Sequence, residues 1–213
     1  MKIYREDSMK IILASQSPRR IEMMQWLGVP FESIIPDINE IKLRDNNPEK
    51  LTRMLAEAKA QAVAKNLTSG LVIGSDAVVA FNNLIIEKPK NINEQRKMLY
   101  LQRGKPATVV TSVSIVNAKT GKKLTKTKKT EYVMANISDE KIEDYIKTGI
   151  GMTRAGGYGQ QDENGMFIGS EFDCYPNSIG FPICLVKEML YDMGVEINLN
   201  IKKIVKQKIG KSC

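Results

Sequence analysis

Residues 11–27 read IILASQSPRRIEMMQWL, and the fold follows from how this stretch divides. Ile11, Ile12 and Leu13 form a β-favouring apolar run closed by the small residues Ala14 and Ser15, the pattern of a short buried strand. Ser17 stands at the N-cap position and Pro18 at the first helical position, where its missing N–H is no loss. Ile21, Met24 and Leu27 then repeat at helical spacing. The stretch is therefore strand, turn and helix N-terminus. Such a junction presents unpaired backbone N–H groups and the positive end of a helix dipole. Arg19 and Arg20 add two permanent charges to the first turn, where the dipole alone would favour acids. Two readings stand on these residues: a site for an anion such as phosphate, or two solvated arginines on an ordinary helix.

The 213-residue chain around this stretch has the length of one domain or of two small lobes. Its formal net charge of +8 admits nucleic acid, a membrane surface or phosphorylated metabolites as partners. Much of the excess lies in residues 119–129 and 202–211, with few aromatics interleaved, so a stacking platform for single strands is not indicated. A nucleic-acid partner is accordingly not expected. Histidine is absent, which excludes His-based triads, imidazole acid–base work and His-ligated metals. Cys174, Cys184 and Cys213 have no paired metal-ligand spacing and indicate neither a zinc site nor a disulfide framework. No apolar run approaches the ~20 residues of a membrane span, and the opening MKIYREDS lacks the apolar core of a signal peptide. No membrane association and a cytoplasmic setting are the expectation.

Strand and helix signals alternate down the chain, which places it in the α/β class. A second strand is expected at 31–35, stopped by Pro36, followed by a loop carrying Asp37, Glu40 and Arg44. A helix is expected from Asn46, Asn47 and Pro48 to about residue 65. Residues 71–81, LVIGSDAVVAF, are the strongest strand signal, and they hold a carboxylate, Asp76. An unpaired buried charge is expensive, so Asp76 reads as functional, and Gly74 beside it permits a bulge or the close approach of a ligand. Further strands are expected at 84–86, 107–116 and 128–134, the last two joined by a turn at Gly121. Helices are expected at 93–101, with Met98 and Leu101 on the apolar side, at 138–147 and at 183–193. A Gly-rich loop at 153–165 and a strand at Phe167 and Ile168 lie between the last two.

The chemistry-bearing residues are Arg19, Arg20, Glu40, Lys59, Asp76, Lys88 and the glutamines Gln160 and Gln161. Cations outnumber carboxylates. That palette fits phosphoryl or nucleotidyl transfer to water, in which cations offset phosphate charge while carboxylates hold a divalent metal or orient the attacking water. Hard oxygen ligands favour magnesium or manganese. Read singly, Lys59 is also what a snorkelling surface lysine looks like, and Lys88 and Lys90 around Pro89 are also what a solvated turn looks like. The motif GxxxxGK[ST] is absent, which excludes a P-loop enzyme.

LASQSPRR at 13–20, VIGSDAVV at 72–79, EKPK at 87–90, AGGYGQQ at 155–161 and NSIGFPI at 177–183 together resemble the Maf family of nucleoside triphosphate pyrophosphatases, in family order. The resemblance implies a Maf/ITPase-like α/β fold: an elongated mixed β-sheet with helices forming two lobes around a central cleft. It implies a catalytic domain over 9–200, flanked by a polar extension at 1–8 and a basic tail at 201–213. It implies hydrolysis of a nucleoside triphosphate to monophosphate and pyrophosphate with Mg²⁺ or Mn²⁺, in a homodimer. Residue by residue, Ser15, Arg19 and Arg20 match the triphosphate-binding signature. Glu40, Lys59 and Lys88 match the loop carboxylate, the helix lysine and the lysine before proline. Asp76 matches the aspartate proposed to accept the proton of the attacking water, and Glu40 with Asp76 would hold the metal. Gln161 matches the glutamine tied to base choice in the branch acting on dTTP and UTP. That branch usually has GADT where this chain has GSDA, so Ala77 replaces a threonine. Its lysine before AGxYG is Arg154 here, and its IQG reads QQD. The same reaction on a modified purine or a methylated nucleotide, and a non-catalytic nucleotide-binding regulator of cell division, are the alternatives that the resemblance leaves.

Overall fold

The computed structural model describes residues 9–82, 84–160, 162–170 and 173–211. The extension at 1–8, Gln161 and Cys213 lie outside the described residues. Its spine is β3 (Leu71–Phe81), an eleven-residue strand in a six-stranded mixed sheet. One edge of β3 pairs antiparallel with β5 (Pro106–Asn117) from Leu71 to Ala80, and β5 pairs antiparallel with β6 (Lys123–Val133). The other edge is shared. At Leu71–Ile73 it pairs in parallel with β1 (Ile11–Leu13), and at Val79–Phe81 it pairs antiparallel with β4 (Leu84–Ile86). Between these partners residues 74–78 carry no strand on that edge among the described residues. β1 also pairs in parallel with β2, which is only Glu32–Ser33, shorter than the 31–35 expected from the apolar residues around it. Both of its residues are exposed, so no burial extends it.

Helices divide between the faces and ends of this sheet. α1 (Pro18–Gln25), α6 (Ile183–Asp192) and α7 (Ile201–Ile209) bury Met23, Met24, Val186, Leu190 and Val205 against Ile11, Leu13 and Ile73. α3 (Ile92–Gln102) and α4 (Asp139–Lys147) enclose a second cluster around Phe81, Val109, Tyr132 and Phe167. These are two lobes. α2 (Pro48–Ala64) lies on the opposite face, where Ala60 and Val63 meet Val72. Its start is set by Asn47, whose side-chain oxygen accepts from the backbone N–H groups of Glu49 and Lys50 at 3.0 Å each. Asn47→Ala is expected to lower stability by about 1 kcal/mol, read from urea unfolding midpoints.

Three local expectations are corrected. The buried side of α3 is not Met98 and Leu101 but Gln95, Leu99 and Gln102, and Leu101 is exposed. Phe167 and Ile168 form no strand: Ile168 makes a single isolated bridge to Met134. Cys184 is disulfide-bonded, although the cysteine spacing points to no disulfide framework.

The basic stretch at 119–129 is largely absorbed by acids. Lys123 pairs with Glu57 at 2.5 Å, Lys126 with Glu188 and Asp192, Lys128 with Asp173, and Lys129 with Glu49. The pairs through Glu49, Glu57, Glu188 and Asp192 tie β6 to α2 and α6, and lysines on an outer strand discourage the pairing of a foreign one. No helix among the described residues is long and apolar enough to cross a membrane.

Candidate active site

Gly74 decides how close α2 comes to β3. A Cβ there would lie 2.2 Å from the carbonyl oxygen of Ala56 and 2.7 Å from the nitrogen of Ala60. The close approach that this glycine permits is therefore that of the helix and not of a ligand. Thr52 of α2 hydrogen-bonds Ser112 of β5 at 2.8 Å on the same face, so the helix is also pinned by a buried polar contact. Two residues along from Gly74, and thus on the same face, is Asp76.

Seated this way, α2 delivers Lys59 to the carboxylate. Lys59 Nζ donates to Asp76 Oδ1 at 2.6 Å and lies 3.0 Å from Glu40 Oε1, with both Lys59 and Asp76 buried. The snorkelling reading of Lys59 is excluded. Glu40 is presented by a single 3₁₀ turn, Glu40–Lys42, whose first residue is preceded by Asn39 accepting from the Ile41 N–H. Burial pushes the Asp76 carboxyl above its ordinary range, although Lys59 and Arg20 pull against that. A carboxylate so placed is a better proton acceptor than one in water.

α1 contributes the other cations. Ser17 occupies the N-cap position, but its side chain makes no cap hydrogen bond; its N–H instead donates to Ser15 Oγ at 3.1 Å. The buried Ser15 thus shapes the turn. Arg20 crosses to the uncovered edge of β3, donating from Nη1 to Ser75 O at 2.7 Å and from Nε to Gly180 O at 3.2 Å. Its burial lowers the guanidinium pKa, but arginine stays charged in proteins. Arg19 is exposed beside it.

Arg19 and Arg20 also line a cavity of about 240 Å³ with Ala77, Val79, Arg154, Tyr158 and Gly180. Ala77 and Val79 alternate with Asp76, so the cavity opens on the face of β3 away from α2. The site therefore has two halves. An ammonium–carboxylate cluster lies on one face, a cavity lined by both arginines and apolar side chains on the other, and the uncovered edge of β3 with Arg20 lies between them. Such an arrangement suits an elongated polyanion carrying an apolar or aromatic end.

Lys88 is not brought into the cluster. It is exposed on the segment after β4, next to Glu87, which accepts from Arg44 at 3.0 Å and from the Gly156 N–H at 3.1 Å. That segment links the Glu40 loop to the Gly-rich loop, but Lys88 neither lines the cavity nor takes part in the ion pairs of Glu40 and Asp76. Gln160 lines the cavity. Arg154 does so too, but it is engaged with Asp162 at 3.1 Å. Sequence reasoning passed over Gln95, Gln102 and Asp162, which hold the Gly-rich loop. The one available signal was Gln95, Leu99 and Gln102 recurring on a single helical face.

Glu40 and Asp76 both aim an oxygen at one cationic atom, a donor set of hard oxygens. Magnesium is commonly held by one or two carboxylates with substrate phosphate and water completing the shell, so these two residues fit such an ion. No group of three or more metal-ligating side chains occurs among the described residues.

Fold and site together define an α/β protein whose two-lobed sheet holds cations and a buried carboxylate at an interrupted strand edge. Residues 10–193 match the model of the Maf-like protein family, and the chain belongs to that family. A dTTP/UTP pyrophosphatase of Desulforamulus reducens is 38% identical over 187 residues, covering 88% of this chain and 98% of that protein. Those of Alkaliphilus metalliredigens and Bacillus cereus are each 37% identical, covering 85% and 90% of this chain and 95% and 94% of their own. Among solved structures, a Ham1 protein from Coxiella burnetii aligns with a TM-score of 0.45 at 18% identity, over 61% of this chain and 75% of that one.

Proposed function

We propose that this chain hydrolyses a nucleoside triphosphate to the monophosphate and pyrophosphate, with dTTP, UTP or related modified nucleotides as substrates. The observation that carries the reading is the buried Lys59–Asp76 pair at the uncovered edge of β3, next to the arginines of α1. The names of the curated relatives support it.

Arg19, Arg20 and Lys59 offset the triphosphate charge and align it along the strand edge. Lys59 occupies Asp76 Oδ1, which leaves the second carboxylate oxygen for a water. That water attacks the α-phosphorus, its proton passes to the Asp76 side, and the bond to the bridging oxygen breaks with pyrophosphate leaving. Glu40 and Asp76 would hold a Mg²⁺ or Mn²⁺ ion, which supplies further charge neutralisation on the phosphates when bound. Lys88 is assigned a phosphate contact on the match of its position before Pro89 to the family's lysine. The work of such an enzyme is to clear surplus or modified nucleotides from the cytoplasmic pool, and a homodimer is the assembly we assign it.

Ala77 favours a second reading of the base. It presents a methyl to the cavity wall, which suits a methylated nucleotide or a modified purine better than a hydroxyl would. Pyrophosphate release across natural and modified triphosphates with magnesium tests both. The expected result is release from dTTP and UTP that stops on chelation of the metal. Tight binding without turnover would replace the hydrolase by a nucleotide-binding regulator.

A further inference from the structure

The Gly-rich loop that walls the cavity is held by residues to which the reaction assigns no part. From α3, Gln95 Nε2 donates to Gly157 O at 3.1 Å and Gln102 Nε2 to Gly156 O at 2.8 Å, both glutamines being buried. From the other side, the Asp162 carboxylate gathers the loop onto itself. It accepts from Tyr145 OH at 2.6 Å, from the Gly159 N–H at 2.8 Å, and from Arg154 through Nε at 3.4 Å and Nη2 at 3.1 Å. A Cβ at Gly159 would lie 2.5 Å from Asp162 Oδ2, so this glycine lets the carboxylate close on the backbone. Burial alone would raise the Asp162 carboxyl, but the hydrogen bonds from Tyr145 and Arg154 outweigh it and hold the group below its ordinary range. The side chain is only 9% exposed.

What the clamp holds is the cavity wall. Arg154, Gly159 and Gln160 line the cavity, on the face of β3 away from Lys59 and Asp76. The clamp comes from α4 and the Gly-rich loop, whereas the phosphate-side cations come from α1 and α2. Arg19 and Arg20 reach the cavity from α1, but the clamp residues Tyr145 and Asp162 are not among those that line it.

We propose that Asp162 is a positioning residue for the nucleoside half of the substrate: by fixing Arg154 and Gly159 to one carboxylate, it sets the wall against which base and sugar lie. The inference rests on the hydrolase reading above. It requires that loss of the clamp weaken nucleotide binding while leaving phosphate binding alone.

Asp162→Asn keeps the shape and removes the charge. It is expected to raise KM for UTP or dTTP roughly tenfold while kcat stays within about twofold. Inorganic tripolyphosphate, which has no base or sugar, should inhibit the variant with unchanged potency. Tyr145→Phe removes one hydrogen bond to Asp162 without touching the cavity lining, and should show the same split more mildly. Equal losses for nucleotide and tripolyphosphate, or no change in either, would overturn the proposal. If Asp162→Asn fails to fold, Tyr145→Phe carries the same comparison. If the parent protein releases no pyrophosphate from any triphosphate, the hydrolase reading fails on its own. Calorimetric binding of UTP and tripolyphosphate to the same variants then decides the clamp.

Discussion

Asp76→Asn is expected to lower turnover by about 10²–10⁴-fold while the fold stays in place. The carboxylate is buried, accepts from Lys59 at 2.6 Å and stands on a strand edge left uncovered between β1 and β4. Asparagine keeps one oxygen for the ammonium, which also retains Glu40 at 3.0 Å, so Lys59 is not left alone in a dry site. What disappears is the negative charge that draws a proton from water. Pyrophosphate release at saturating substrate, paired with a thermal melt, reads the two effects separately. Turnover within about twofold of the parent would remove Asp76 from the reaction.

Gly74→Ala is expected to cost about 3 kcal/mol and to depress activity besides. The added methyl meets backbone atoms of Ala56 and Ala60 at 2.2 and 2.7 Å, and backbone cannot swing aside as a side-chain tip does. The whole of α2 must move off the sheet. Lys59 rides on that helix, so its ammonium is drawn from Asp76, and a displacement near 1 Å in such a constellation is worth about 10²-fold. Guanidinium unfolding and steady-state assays on one preparation measure both. Full activity in a destabilised variant would show that Lys59 reaches its partner without help from this packing.

Much of this was legible in the residues. The division of 11–27 into strand, turn and helix appears as β1 and α1, and the apolar run around Asp76 appears as the central strand. Asp76 stood out because a charge inside such a run demands a partner. The partner itself was not legible: Lys59 lies a helix away, and nothing in its local spacing separates a buried lysine from a snorkelling one. The meaning of Gly74 was hidden for the same reason, since a missing side chain does not say what fills its place. Gln95 and Gln102 were overlooked because glutamine on a helix normally faces water; here the carbonyls of a Gly-rich loop take the place of that water. Conversely, 31–35 and 167–168 have strand-forming residues but too few neighbours in register to pair with.

The uncovered length of β3 has a further consequence for how the protein survives at high concentration. Bare strand edges are templates on which another chain can add itself. Here the bare length is short, closed off by β1 at one end and β4 at the other, and Arg20 already holds the Ser75 carbonyl inside it. Ser75 is fully buried and only Ala77 and Val78 of this length are partly exposed, so an extended peptide has no room to lie along it. The protein thus leaves this length of strand edge unpaired at little risk of polymerising through it.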